Sequence, residues 1–513
     1  MTRNSMLPDP TDPSGYAPSK EDLQAIVDHE SELACFFKRY STFNVCLYIG
    51  WRLRNHSSAL VLNVPHLAIR LIEASCRHQR DCRDKPYERK DHHKALNIVS
   101  QWNDPLLTHA LERQQDIMLF GKIAEHQQLR LQLAQSRERH VIGRAVRLLR
   151  CQSMNRAWHV MQSHTGLNAT SWLTMLIGGA GHCHQDAILN YNGYEKVLKD
   201  VPCGTYERFV NIVSYTPEEI RNRYIDLRER VRNPLYWSSI MPYIWTKPFI
   251  NFGSRGLYSA VPAMIMRHAE RGLAGVLSGR DGEIWDAGVS KALESYVEEQ
   301  LTDCFGDSHV HRLDGNKLVS NATMLSDFVV DEPNSRIYIE VKSVRDRRMT
   351  FMPHELPSTR YTEQIRKAVE QVRTSATRNN EITRVLGLDA SAKPIYGLIL
   401  LQDDGVANNS PWYWKHALKM ERGTPAGRDA NGILEYPPQI ASVDLLDVLG
   451  HILRNTDQAY SQLINEQEEK DRSLSYGDWI RELVDIRTDT PMELTRSETA
   501  MDEFIEEVRP MLE

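Results

Sequence analysis

The sequence has no run approaching the roughly twenty consecutive apolar residues that cross a bilayer. Its opening Met1-Thr2-Arg3, followed by Pro8, Pro10, Pro13 and Pro18, lacks the apolar core of an export signal. No membrane association is expected, and a cytoplasmic location is. A large excess of either charge is lacking as well: 62 Lys and Arg stand against 68 Asp and Glu, a net charge of −6. Bulk coating of a polyanion is thereby excluded, and any contact with nucleic acid must come from local basic patches. The eight cysteines, Cys35, Cys46, Cys76, Cys82, Cys151, Cys183, Cys203 and Cys304, are irregularly spaced and read as reduced thiols. Cys76, His78, Cys82, His92 and His93 lie close in sequence, as do His182, Cys183 and His184 with Cys203 further on. Neither group has paired Cys-x-x-Cys hooks, so zinc is the minor reading for both. Gly178-Gly179-Ala180-Gly181 lacks the Gly-Lys-Ser/Thr ending of a phosphate loop. No internal repeat is evident.

What is present is a chain of 513 residues, 41% hydrophobic and 25% charged, long enough for two or three globular domains. Residues 1–18 read as a disordered lead-in that ends at a capping box, Ser19-Lys20-Glu21-Asp22. Residues 19–250 are predominantly helical and of no legible role, with a long helix expected from Asp104-Pro105 towards His164-Thr165-Gly166. That helix carries Arg130, Arg137, Arg139, Arg144, Arg147, Arg150 and Arg156, most simply a solvated face. Tyr236, Trp237, Tyr243 and Trp245, among Pro234, Pro242 and Pro248, suggest a packed junction rather than a loose linker. Residues 251–440 read as an α/β domain, and 441–513 as an acidic helical segment. The fold class expected is thus multidomain α plus α/β, with a mixed sheet flanked by helices.

Within the α/β region, Ser326-Asp327-Phe328-Val329-Val330 and Arg336-Ile337-Tyr338-Ile339-Glu340-Val341-Lys342 read as two strands, joined by the turn residues Asp331-Glu332-Pro333-Asn334-Ser335. Alternation puts Tyr338, Glu340 and Lys342 on one face, expected to be the reactive one, and Ile337, Ile339 and Val341 on the other. Folding back at the turn brings Asp327 towards Glu340. Two carboxylates on adjoining strands are the hard oxygen ligands Mg²⁺ takes, and an amine beside them can hold a water or steady phosphoryl charge. Two other Glu-x-Lys triplets, Glu88-Arg89-Lys90 and Glu468-Glu469-Lys470, lack flanking apolar alternation and read as solvated surface.

The flanks agree. Gly282 to Leu301 forms an amphipathic helix with Trp285, Val289, Leu293, Val297 and Leu301 on one side. His309-Val310-His311-Arg312-Leu313 reads as a first strand, turning at Asp314-Gly315-Asn316. A helix capped by Ser358 or Thr359 buries Tyr361, Ile365, Ala368 or Val369, Val372 and Ala376. Pro394 to Leu401 suits a strand covered on both faces. Further on, Trp412-Tyr413-Trp414 reads as packing rather than base stacking.

The order helix, three-stranded meander, helix, strand, with this motif, means that residues 281–404 resemble the PD-(D/E)XK nuclease superfamily. The resemblance implies that Asp327 and Glu340 bind Mg²⁺, with Mn²⁺ able to substitute, that the carbonyl of Val341 joins the metal shell, and that Lys342 is catalytic. It further implies a first-helix acid: Glu294, in Leu293-Glu294-Ser295-Tyr296-Val297, is the preferred candidate and Asp286 the other. Ser326 stands where that family usually has proline. Gln364 or Gln371 on the second helix would assist.

The implied activity is phosphodiester hydrolysis by a DNA endonuclease, in a setting of bacterial genome defence or a mobile element. Arg345, Arg347, Arg348, Arg360 and Lys367 are the candidate nucleic-acid contacts, within a basic stretch running from Arg336 to Arg384 that also holds Arg366, Arg373 and Arg378. Protein partners would use the helical N-terminal region or the acidic C-terminal one, and a dimer is open to it. The alternatives are a catalytically silent nuclease-like DNA-binding module and a protein-interaction module.

Overall fold

A computed structural model describes residues 19–55, 65–79, 85–100, 138–186, 188–189, 204–230, 237, 243–259, 261–313, 324–344, 359–402, 409, 413–423, 429–443, 446, 449–450, 452–453, 458–469 and 496–512. The backbone separates into two compact units, Met1–Trp285 with Arg496–Glu513, and Asp286–Arg348 with Leu356–Thr495.

The first unit contains α1 (Lys20–Phe37), α2 (Thr42–Asn55), α3 (Pro65–His78), α4 (Arg89–Ser100), α5 (Glu138–Leu149), α6 (Asn155–Thr165), α7 (Ala169–Gln185), α8 (Thr205–Val213), α9 (Pro217–Arg230) and α10 (Pro262–Arg271). Ser19 caps α1 as the sequence predicts, its hydroxyl accepting from the Asp22 N–H while the Asp22 carboxylate accepts from the Ser19 N–H. The expected long helix ending near Gly166 is, over its described residues, two helices. Cys151 is extended and Gln152–Met154 forms a 3₁₀ turn between α5 and α6, while Gly166 closes α6 at φ 74°. Its residues 104–137, including Arg130 and Arg137, lie outside the described residues.

Nor is that basic tract simply a solvated face. Arg144 is buried with Glu270 at 2.9 Å, a pair whose breakage would cost roughly 3–5 kcal/mol because it strands a buried charge. Four short strands, β1 (Ile188–Leu189), β2 (Ser214–Tyr215), β3 (Phe249–Asn251) and β4 (Leu257–Tyr258), form a mixed sheet in the order β1-β4-β3-β2. Strands of two and three residues are too short to show alternation, which is why this region reads as helical in the sequence. Tyr243 packs edge-on against Tyr215, and Arg228 lies 3.5 Å over the Trp237 ring, so these aromatics serve the interior of the first unit. Gly178 to Gly181 lies inside α7.

The division between units falls within α11 (Gly279–Phe305). The second unit continues with β5 (Val310–Arg312), β6 (Phe328–Asp331), β7 (Arg336–Lys342), α12 (Thr359–Thr377), α13 (Asn379–Leu386), β8 (Ile395–Leu401), β9 (Gln439–Ser442) and α14 (Tyr460–Glu469). Its sheet is mixed, in the order β5-β6-β7-β8-β9, with β5, β6 and β7 antiparallel and β7, β8 and β9 parallel. The predicted hairpin closes where Asp331 pairs with Arg336, and Ser335 hydrogen-bonds Glu332 in the turn.

Trp285, Val289, Leu293, Val297 and Leu301 are all buried along α11, and Tyr361, Ile365, Ala368, Val369, Val372 and Ala376 along α12. Each large aliphatic of these stripes contributes about 1.5–3 kcal/mol of burial. One expectation is overturned: neither face of β7 is open. Tyr338 and Glu340 are buried as completely as Ile337 and Ile339, with α12 packed against the strand, and only Lys342 at the strand's end is partly exposed. Tyr413 and Trp414 are buried in a single π-helical turn, Tyr413–Leu418, as the packing reading requires. Strand β9 and helix α13 are not legible in the sequence, because four and eight residues carry little periodicity. Last, α15 (Arg496–Leu512) packs on α5 in the first unit.

Candidate active site

The site is built where β6 begins and β7 ends. The antiparallel register pairs Phe328 with Ile339, so continuing it by one residue sets Asp327 opposite Glu340, and opposed residues project to the same face. Asp327 is held there: its Oδ2 accepts from the Val341 N–H at 2.8 Å. The N–H and C=O of one strand residue leave towards the same neighbouring strand, so the Val341 carbonyl faces the Asp327 side.

Lys342 Nζ donates to Glu340 Oε1 and, at 3.0 Å, to Gln371 Oε1 on α12. The other oxygen of Glu340, Oε2, is buried and has no hydrogen-bond partner among the described residues. Glu340 is 1% exposed, and burial pushes its carboxyl up to about 8, the charge of Asp327 adding to the shift and Lys342 opposing it. Burial also raises Asp327, against the Val341 hydrogen bond and the Lys342 charge.

Glu294 projects from α11 and pairs with Arg312 of β5 at 3.0 Å; Arg312 also reaches Glu298 at 3.1 Å. Burial raises the Glu294 carboxyl, and the Asp327 charge raises it further against Arg312 and Lys342. Three carboxyl groups on three elements therefore resist ionising together. A cation beside Asp327 and Glu340 would relieve that cost, and a buried carboxylate oxygen without a donor is the kind of atom a cation satisfies. Asp286, the other first-helix acid, lies eight residues earlier, about 12 Å along the helix axis.

Among the described residues no three His, Cys, Asp or Glu side chains come close enough together to share an ion. That applies equally to the two Cys and His groups of the sequence, whose Cys82 and Cys203 lie outside the described residues. Cys76 and His92 are buried, and His182 hydrogen-bonds the Ile188 carbonyl at 2.7 Å. The smaller donor set left is the carboxylates of Asp327 and Glu340 with the Val341 carbonyl, hard oxygen atoms of the kind Mg²⁺ takes.

The candidate nucleic-acid contacts divide. Lys367 is exposed on α12. Arg360 lies in the first turn of α12, its side chain outside the described set, and Arg345, Arg347 and Arg348 lie outside the described residues. Gln364 is half-buried on α12, two turns before Gln371. Two cations of the basic stretch are not available to phosphate: Arg336 is buried against Asp331 at 2.8 Å, and Arg373 is buried against Asp429. In sequence a guanidinium facing a carboxylate fifty residues away looks like one facing water. Arg312 and Ser375 are participants the sequence reading did not single out; the only signal for Ser375 was a polar residue within an otherwise apolar helical stripe. Comparison with family models, with curated proteins and with solved structures returns no match to this chain.

Proposed function

We propose that the second unit is a Mg²⁺-dependent phosphodiesterase of the PD-(D/E)XK nuclease type, cutting DNA as an endonuclease in bacterial genome defence or a mobile element. The observation that carries the reading is the convergence of Asp327, Glu340 and Lys342, with one Glu340 oxygen buried and unpartnered. The helix, meander, helix, strand order around it is the second support. Asp327 and Glu340 would hold the ion, with the Val341 carbonyl. Bound Mg²⁺ supplies polarisation of the scissile phosphate and a lowered pKa for the attacking water.

The chain's own groups do the rest. Lys342, at the partly exposed end of β7, orients the water or neutralises charge developing on the phosphoryl oxygens. Gln371 fixes the lysine from the helix side, and Glu294 adds negative charge at the rim, with Arg312 balancing it in the absence of metal. Lys367 lies on the outside of α12, where a phosphate backbone can reach it.

A second reading, a silent binding module, draws on one observation: the Lys342 amine already occupies one oxygen of Glu340. Incubation of the protein with plasmid, single-stranded DNA and RNA, each with Mg²⁺ or Mn²⁺, separates the two. Cleavage that is lost in Asp327→Ala is the expected result. DNA binding without cutting would favour the silent module, and neither binding nor cutting would remove both.

A further inference from the structure

We infer that Ser375 is a positioning residue for Asp327, an assignment that rests on the nuclease reading of the site. Ser375 lies on the inner side of α12, among Val372 and Ala376, and is fully buried. A hydroxyl placed there costs stability unless it is hydrogen-bonded, and its partner is the residue that precedes the metal-binding aspartate. The Ser326 N–H donates to Ser375 Oγ at 2.8 Å, and the two hydroxyls lie 3.0 Å apart.

One turn earlier on the same helix, the Gln371 amide donates to the Leu325 carbonyl at 3.0 Å while its oxygen accepts from Lys342. Helix α12 thus grips the main chain at Leu325 and Ser326 on one side and the catalytic amine on the other. The clamp uses a main-chain N–H that a proline at position 326 would not have, so it requires a residue with a main-chain donor there. Asp327 has little freedom left. Its approach is set by Ser375 and Gln371, and its carboxylate is set by the Val341 N–H.

Groups that orient metal ligands from behind typically change metal affinity about tenfold to a hundredfold when removed. The test uses the full chain and three variants. Ser375→Ala is expected to weaken Mn²⁺ binding, read by calorimetry, by about tenfold, and to raise the Mg²⁺ needed for half-maximal cleavage by a like factor. The cleavage rate at saturating metal should stay near that of the parent. Ser375→Thr keeps the hydroxyl and should recover the affinity. Ser326→Ala keeps the main-chain donor and should change it less.

A metal-free readout stands beside these. Amide exchange at Val341 should quicken in Ser375→Ala, because a loosened Asp327 no longer protects that N–H. Unchanged exchange at Val341 in a folded Ser375→Ala protein overturns the inference, as does a Ser375→Thr protein no better than alanine. If the parent protein binds no Mn²⁺, the nuclease reading fails, and Val341 exchange still decides whether Ser375 positions Asp327. If Ser375→Ala does not fold, Ser326→Pro removes the same donor and carries the same exchange measurement, with the same two outcomes.

Discussion

Lys342 sits between a buried carboxylate and an amide, so its amine is aimed by two partners instead of waving in solvent. In the proposed nuclease, truncating it would remove a charge that steadies the phosphoryl group and leave the rest of the surface intact. Lys342→Ala should therefore lower single-turnover cleavage by about 10²–10³ while DNA retention in a gel-shift assay stays close to that of the parent. Parent-like cleavage would remove the role.

A second carboxyl carries a pH dependence of its own. Glu73, on α3, is buried and accepts from the Ile244 N–H at 3.2 Å; burial pushes it up to about 7 against the charge of Arg77. An ordinary glutamate in the unfolded chain titrates near 4.3. Between those two values the folded protein holds a proton that the unfolded chain has released, so stability rises as pH falls through 7 and levels off near the unfolded value. Above pH 7 both states are ionised, and the burial cost is fully present. Denaturant melts of Glu73→Gln should lose this slope, and a variant whose slope matches the parent's would contradict the assignment.

At the scale of elements, close approach is decided by glycine. A Cβ built on Gly143 of α5 would lie 1.5 Å from the Ser497 carbonyl oxygen of α15, so no side chain fits without parting the helices. The same contact is flanked by Arg150 and Glu507, paired at 2.7 Å. Gly143→Ala is expected to cost about 1–3 kcal/mol, whereas Gly181→Ala, on α7 with nothing within 4 Å of the new Cβ, should gain roughly 0.5–1 kcal/mol from helix propensity. Thermal melts of the two variants in opposite directions would check the pair; a stabilised Gly143→Ala would refute the close packing.

The elements that were legible beforehand are those long enough to repeat. The stripes of α11 and α12 and the hairpin of β6 and β7 fall where a 3.6-residue period or alternation predicts them, and β8 falls where a continuous apolar run after Pro394 does. Strands β1 to β4 and β9, and the break between α5 and α6, depend on what packs against them, and a few residues cannot announce it.

At the scale of the molecule, each unit has its own interior, and the proposed metal site lies in the second. An ion that binds the folded state alone stabilises it by RT ln(1 + [L]/Kd), about 2.7 kcal/mol at a hundredfold excess over Kd. Mg²⁺ should therefore raise the melting temperature of the parent protein and leave Asp327→Ala unchanged, with sodium at matched ionic strength as the control. An equal rise in both would place the ion elsewhere. Among the described residues no helix is long and apolar enough to cross a membrane.

The sequence by itself determined the periodic elements, the turn that folds Asp327 back towards Glu340, and the residue types from which a hard-ion site can be made. Those are local properties, set by neighbours two to four positions apart. Only the tertiary structure decided that both faces of β7 are covered, that Arg144, Arg336 and Arg373 are spent on internal carboxylates, and that Ser375, 49 residues from Ser326, holds the approach to Asp327. The physical reason is common to all three. Burial and hydrogen-bond partners are chosen by packing between segments far apart in the chain, and a side chain's chemical identity is the same whether it meets water or a buried partner.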